Sequence, residues 1–145
     1  MTENNPIDNV GKLAAPADLV AAAQAARKNA YAPYSRFLVG AALRTENGVI
    51  IAGCNVENAA YPEGVCAEGG AISAMVLAGE RKISEIVVVG SGDVACTPCG
   101  GCRQKIREFT GSDATIFVIN EAGKTLLTLT REELIPLSFG PENLS

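Results

Sequence analysis

The residue periodicities of this 145-residue chain predict an α/β fold built on a mixed sheet. Three observations carry that reading. Alanine-rich stretches with apolar residues at helical spacing alternate with short runs rich in Val and Ile. The run Ile86-Val87-Val88-Val89 is apolar on both faces, which marks a central strand covered on both sides. Asn47-Gly48 stands between two apolar segments, a hairpin signal, because both central residues of a type I′ turn need positive φ.

In chain order, residues 1–15 read as a loose N-terminal arm and 16–145 as a single domain. Pro16 opens a helix over 16–30, with Leu19, Val20, Ala23 and Ala26 on one apolar face. Residues 31–37 form a loop around Pro33 and Ser35. Strands are predicted over 38–44 and 49–54, followed by a polar loop over 55–65. A helix spans 66–78 with Gly79 as its stop. A strand follows at 85–89, then a loop over 91–98 and a helix over 99–109 with Cys102, Ile106 and Phe109 on one face. Strands at 115–119 and 124–128 flank a Glu121-Ala122-Gly123 turn. A short helix over 131–134 is capped by Thr130, and 136–145 is a tail carrying Phe139. Alternation of this kind layers helices on a mixed sheet.

Composition limits the function. Hydrophobic residues make up 48% and charged residues 19%, and the net charge is −4. An acidic balance of this sort argues against a phosphate-tracking nucleic-acid surface. No apolar run is long enough to span a bilayer, and the first residues lack the blocks of a signal peptide. A cytoplasmic location is expected, where the five cysteines stay reduced and bind metal or catalyse rather than pair. The chain has no histidine, so His-based nucleophilic machinery and His metal ligands are both ruled out.

The chemistry concentrates in Cys66-Ala67-Glu68 and Pro98-Cys99-Gly100-Gly101-Cys102. Cys99 and Cys102 have the spacing to clamp one metal, and Cys66 completes a three-thiolate set. Such a set leaves the fourth position of a zinc ion open to water, which separates catalytic from structural zinc. Both cysteine segments fall at helix N-termini, where the helix dipole favours thiolates. Glu68 stands beside a ligand and can move protons while staying off the metal. Alone, each of these groups has an ordinary structural reading: a small buried thiol, or a first-turn carboxylate. Cys96, Cys99 and Cys102 also form a Cys-x-x-Cys-x-x-Cys run that with Cys66 could ligate an iron–sulfur cluster, although the clustered ferredoxin pattern needs a further cysteine followed by proline, and none follows. Cys96 then reads as a loop thiol near the site, and Cys54 as a buried strand-end residue.

Several longer segments match a known family. They are Tyr34-Ser35-Arg36-Phe37, the run from Gly53 to Pro62, Cys66-Ala67-Glu68, the run from Pro98 to Gln104, and the run from Leu134 to Pro141. With them the chain resembles the small homotetrameric zinc-dependent cytidine deaminases, over about residue 16 to the C-terminus. The resemblance implies a three-layer α/β/α sandwich around a five-stranded mixed sheet. It implies one zinc per subunit on Cys66, Cys99 and Cys102, with Glu68 as proton shuttle. The implied reaction is the hydrolysis of cytidine and deoxycytidine to uridine and deoxyuridine plus ammonia, in pyrimidine salvage. It further implies that Asn55 and Glu57 hold the ribose, that Phe37 and Phe139 flank the base, that Tyr61 lines the pocket and that the Ala67 amide meets the base O2. Phe139 and Tyr61 would act across interfaces of a homotetramer with shared active sites. The expected partner is a small-molecule nucleoside, not nucleic acid or membrane.

The chain departs from the family pattern at Gly69, where most three-cysteine members carry arginine. Zinc on three thiolates has a formal charge of −1, and this arginine would offset it; Arg103 is the nearest cation in sequence. The departure leaves room for another aminopyrimidine nucleoside, such as a blasticidin-type compound, as substrate. A metal or iron–sulfur binding module is the reading from a different class.

Overall fold

The computed structural model describes residues 13–145, which run α1 (Ala17–Arg27), β1 (Gly40–Thr45), β2 (Ile50–Cys54), α2 (Ala67–Leu77), β3 (Ile83–Val89), α3 (Gly100–Glu108), β4 (Thr110–Ile119), β5 (Thr125–Thr130) and α4 (Arg131–Leu134). Single 3₁₀ turns occur at Tyr61–Glu63 and Pro141–Asn143. Most of the expected N-terminal arm, residues 1–12, lies outside the described residues. Its last residues, 13–15, run beside β5: the Leu13 carbonyl accepts from Thr128 Oγ1 at 2.7 Å, and Ala15 N donates to Thr125 Oγ1 at 2.9 Å.

The five strands form one sheet in the order β2-β1-β3-β4-β5. Only the β3–β4 pair is parallel; the other neighbours are antiparallel. The parallel pair needs a crossover, and α3 supplies it. The expected mixed α/β fold with five strands is therefore what forms. Side-chain alternation divides the core in two. Leu19 and Ala23 of α1 pack with Ala42, Val87, Val89, Phe117 and Ile119 on one face. On the other face Ala67, Ala71, Ile72 and Met75 of α2, Ile106 of α3 and Leu134 of α4 pack with Ala41, Leu43, Ile86, Val88 and Ile116. Successive residues of β1, β3 and β4 thus serve opposite layers, which is why these strands read as continuous apolar runs.

Two glycines set how closely the layers approach. A Cβ on Gly40 would collide with α1 at the Ala23 carbonyl and Arg27. A Cβ on Gly53 would collide with α2, meeting the Ala71 amide and lying 2.6 Å from the Ala67 carbonyl. Gly53 pairs with Ala41 and Gly40 with Cys54, so both contacts sit at one end of the hairpin. The first turn of α2, which carries Glu68, rests directly on the second.

The hairpin forms where Asn47-Gly48 places it, but with a different turn. Gly48 has φ +82°, while Asn47 is not among the positive-φ residues. Gly48 N donates to the Thr45 carbonyl at 2.9 Å and Thr45 N to the Val49 carbonyl at 2.9 Å. The loop is therefore three residues long, a type I turn closed by a left-handed glycine, and only one position needs φ > 0. Strand β4 begins at Thr110 rather than 115. Its register with β3 shifts between Ile83↔Thr110 and Glu85↔Thr115, so the polar residues Gly111, Ser112 and Asp113 are accommodated in an irregularity that periodicity does not show. Thr130 caps α4 as expected, in a capping box with Glu133.

Candidate metal centre and active site

Helices α2 and α3 both point their N-termini at one spot. Cys66 is the residue before α2 and Cys99 the residue before α3, both in extended backbone conformation, and Cys102 lies in the first turn of α3. Their three sulfurs lie within 4.8 Å of one another, with Cys66 Sγ and Cys99 Sγ 4.0 Å apart. Tetrahedral zinc with Zn–S bonds of about 2.3 Å brings neighbouring sulfurs to about 3.8 Å, so this cluster fits the ion with little movement. Cys102 is fully buried while Cys66 and Cys99 are exposed.

The three thiols differ in acidity. The Cys102 backbone amide, with hydrogen bonds from the Cys102 and Cys66 thiols, holds Cys99 below the usual thiol range. Burial pushes the Cys66 thiol up, with the neighbouring Cys99 and Glu68 charges adding to it. Burial pushes Cys102 up far more, again with Glu68 and Cys66 adding. Glu68 itself is buried, 4% exposed, in the first turn of α2.

A cavity of about 200 Å³ opens over the cluster, lined by Phe37, Val39, Asn55, Cys66, Ala67, Glu68, Cys96, Thr97 and Cys99. It gathers four elements: the turn before β1, the end of β2, the start of α2 and the loop before α3. Arg36 takes a left-handed conformation, φ 62°, and turns the chain so that Phe37 lines this wall. Gly90 leaves space on the far side, since a Cβ there would lie 3.0 Å from Phe37 Cζ and 3.1 Å from Cys96 Sγ. Asn55 ties the wall together: its Oδ1 accepts from Val39 N and its Nδ2 donates to the Phe37 carbonyl, each at 2.8 Å.

The residues expected from sequence divide into three groups. Phe37, Asn55, Cys66, Ala67, Glu68 and Cys99 share this cavity, with Cys102 behind it. Glu57 and Tyr61 line an adjacent pocket with Tyr34, Ser35, Asn58 and Gly64. There Glu57 Oε1 accepts from the Tyr34 and Ser35 amides at 2.9 and 3.0 Å; the Ser35 contacts are the main reason its carboxyl sits below the usual carboxylate range. Phe139 is 57% exposed and lines neither pocket. Its segment is held on α3, where Gln104 Nε2 donates to the Phe139 carbonyl at 3.0 Å, Arg107 Nε donates to Ser138 Oγ at 3.0 Å, and Arg107 pairs with Glu142.

Val39, Thr97 and Cys96 join the cavity wall beyond the expected set. Thr97 directly precedes the Pro98 motif and Val39 stands two residues after Phe37, so only Thr97 adjoins a sequence motif. Cys96, a loop thiol near the site on sequence grounds, forms part of the wall itself. Cys54 ends β2 and is half-buried rather than buried, because β2 is an edge strand. Arg103 does not face the sulfurs: its Nε donates to the Pro98 carbonyl at 2.7 Å and its Nη1 to the Leu134 carbonyl at 2.8 Å.

This geometry coincides with a family match. Residues 15–119 match the model of the cytidine and deoxycytidylate deaminase zinc-binding region. The chain belongs to this family. It is 42% identical over 127 residues to a cytidine deaminase of Sporosarcina psychrophila, covering 88% of this chain and 93% of that protein. Among solved structures, it is similar to cytidine deaminase from Burkholderia pseudomallei, with TM-score 0.79 and 41% identity over 84% of this chain and 97% of that one. Cytidine deaminase from Mycobacterium tuberculosis matches with TM-score 0.74 and 34% identity over 85% and 95% of the two chains. A zinc cofactor agrees with both the family's zinc-binding region and the thiol cluster. No helix among the described residues is long and apolar enough to cross a membrane.

Proposed function

We propose that this member of the family hydrolyses the 4-amino group of free cytidine and deoxycytidine, giving uridine or deoxyuridine and ammonia. The observation that carries the proposal is a buried carboxylate, Glu68, beside three clustered thiols at the wall of a small cavity. Cys66, Cys99 and Cys102 would hold zinc, which when bound would supply a water acidified to react near neutral pH and add its oxygen to C4. Glu68 is the residue that would hold a proton and pass it to N3 of the pyrimidine. As C4 becomes tetrahedral, Glu68 supports protonation of the departing amine. One carboxylate serves both transfers because it lies off the metal and next to the ring. Burial of Glu68, 4% exposed, strengthens each of these contacts.

Phe37 stacks on the base, and the Ala67 amide meets its O2. Asn55 and Glu57 take the ribose: Asn55 keeps a second amide proton beyond its bond to Phe37, and Glu57 keeps its second carboxylate oxygen. A carboxylate held ionised at the sugar suits a nucleoside and repels a 5′-phosphate. Tyr61 and Phe139 lie outside the cavity of their own chain, which suits side chains that complete sites across the interfaces of a homotetramer. The enzyme then serves pyrimidine salvage in the cytoplasm.

The decisive experiment is metal content measured beside the ultraviolet change that accompanies conversion of cytidine to uridine. One zinc per chain with turnover of cytidine is expected. Zinc-replete protein that leaves cytidine untouched would refute the proposal, and iron in place of zinc would support a different metal module.

A further inference from the structure

Lys105 of α3 lies along the first turn of α2, in space that Gly69 leaves open. A Cβ on Gly69 would meet Lys105 Cδ at 3.7 Å, Nζ at 3.8 Å and Cε at 3.9 Å, all ordinary packing distances. Gly69 is buried beneath it. The residues also repeat in step. Cys66 and Gly69 stand three apart at the start of α2, and Cys102 and Lys105 three apart on α3. That spacing places each pair on one side of its helix.

This is a poor place for an ammonium unless a negative group is near. The first turn of α2 carries the positive end of the helix dipole. Among the described residues, no ion pair involves Lys105. The acidic groups that the two helices bring near Gly69 and Lys105 are the thiol cluster at their N-terminal ends, Glu68 beside Gly69, and Glu108 one turn further along α3. Three thiolates leave bound zinc with a formal charge of −1, and ionised Glu68 makes the site more negative. Arg103 gives its guanidinium to two carbonyls instead.

We propose that Lys105 is the countercharge of the thiolate metal centre, placed there by the missing side chain at Gly69. The proposal rests on the zinc reading above. Zinc on three thiolates carries a formal charge of −1, and a nearby ammonium favours that loaded state. Lys105 does not line the cavity, so it acts through the thiolates and does not touch substrate.

The test compares zinc affinity, by competition with a chromophoric chelator, for the wild type, Lys105→Met, Lys105→Gln, Lys105→Arg and Lys105→Met combined with Gly69→Arg. Both neutral variants should bind zinc about tenfold more weakly, the size usual for groups that support metal ligands. The deficit should shrink in 1 M salt, which screens an exposed charge. Lys105→Arg should bind as the wild type does, and Gly69→Arg should restore affinity to Lys105→Met by returning a cation to the same space. At saturating zinc, kcat for cytidine should fall in the neutral variants with KM little changed. Equal zinc affinity in wild type and both neutral variants overturns the proposal. So does a loss in Lys105→Arg as large as that in Lys105→Met, because packing rather than charge would then be at work. A wild type that binds no zinc overturns the zinc reading itself, which is a separate and recognisable outcome.

Discussion

Asn55 holds Phe37 in the cavity wall: its Nδ2 donates to the Phe37 carbonyl at 2.8 Å while its Oδ1 accepts from Val39 N. The amide therefore fixes the turn that presents the aromatic ring. Asn55→Leu leaves a donor and an acceptor of that turn without partners, a loss of about 1–3 kcal/mol. The expected result is a KM for cytidine raised at least several-fold, with zinc stoichiometry unchanged. Steady-state kinetics beside metal analysis checks it; an unchanged KM would show that Phe37 is held by other contacts.

Glu68→Gln keeps the shape of the buried side chain and removes its ability to accept a proton. If Glu68 is the proton carrier, kcat falls by about 10²–10⁴-fold while the protein still binds one zinc. Activity within a few-fold of the wild type would assign proton transfer elsewhere. Zinc loss in this variant would instead show that the carboxylate supports the metal.

Gly53 is the point where β2 meets α2, and a side chain there collides with the helix backbone. Gly53→Ala should destabilise the fold by about 1–3 kcal/mol, as overpacking does, and shift the start of α2 with Cys66 and Glu68 on it. A lowered thermal midpoint together with reduced zinc affinity is expected. A stability loss with full affinity would show that the sheet, rather than α2, yields.

Much of this was legible in the sequence because its signals are local. The Val/Ile runs of β3 and β4 and the cysteines at two helix starts each follow from neighbours in the chain. The thiol cluster could be assembled from spacing, because Cys99 and Cys102 share one helix end and Cys66 begins another. What stayed hidden depends on contacts between distant segments. The turn at Asn47-Gly48 is set by how the strands register, so a dipeptide preference did not fix its type. The irregular start of β4 arises from pairing with β3 and has no periodic mark. That Gly69 makes room for Lys105, and that Arg103 turns to Pro98 and Leu134, are facts about how α2, α3 and α4 pack.

Glu57 bears on the choice between nucleoside and nucleotide. Its Oε1 accepts from the Tyr34 and Ser35 amides, so Glu57→Gln can keep the loop in place through the same oxygen while removing the charge. The ratio of turnover on deoxycytidylate to turnover on deoxycytidine should rise about tenfold, equivalent to ~1.4 kcal/mol of relieved repulsion. A ratio that does not move would show that phosphate is excluded by shape instead.

Zinc affinity should climb steeply with pH, and the thiol acidities give the sign. Burial holds Cys66 and Cys102 above the usual thiol range, so both carry protons in the metal-free protein at neutral pH. The Cys102 amide holds Cys99 below that range, making it the first to ionise and the natural point of entry for the metal. Loading must therefore expel protons from at least Cys66 and Cys102, and each expelled proton adds about a tenfold gain in apparent affinity per pH unit. Between pH 6 and pH 8, chelator competition should show a rise of about 10²-fold or more per unit, flattening only as the thiols ionise without metal. Cys99→Ser should slow metal uptake more than Cys102→Ser does. A slope of one proton or less would mean that the cluster is already largely ionised before zinc arrives, and that the helix N-termini outweigh burial at Cys66 and Cys102.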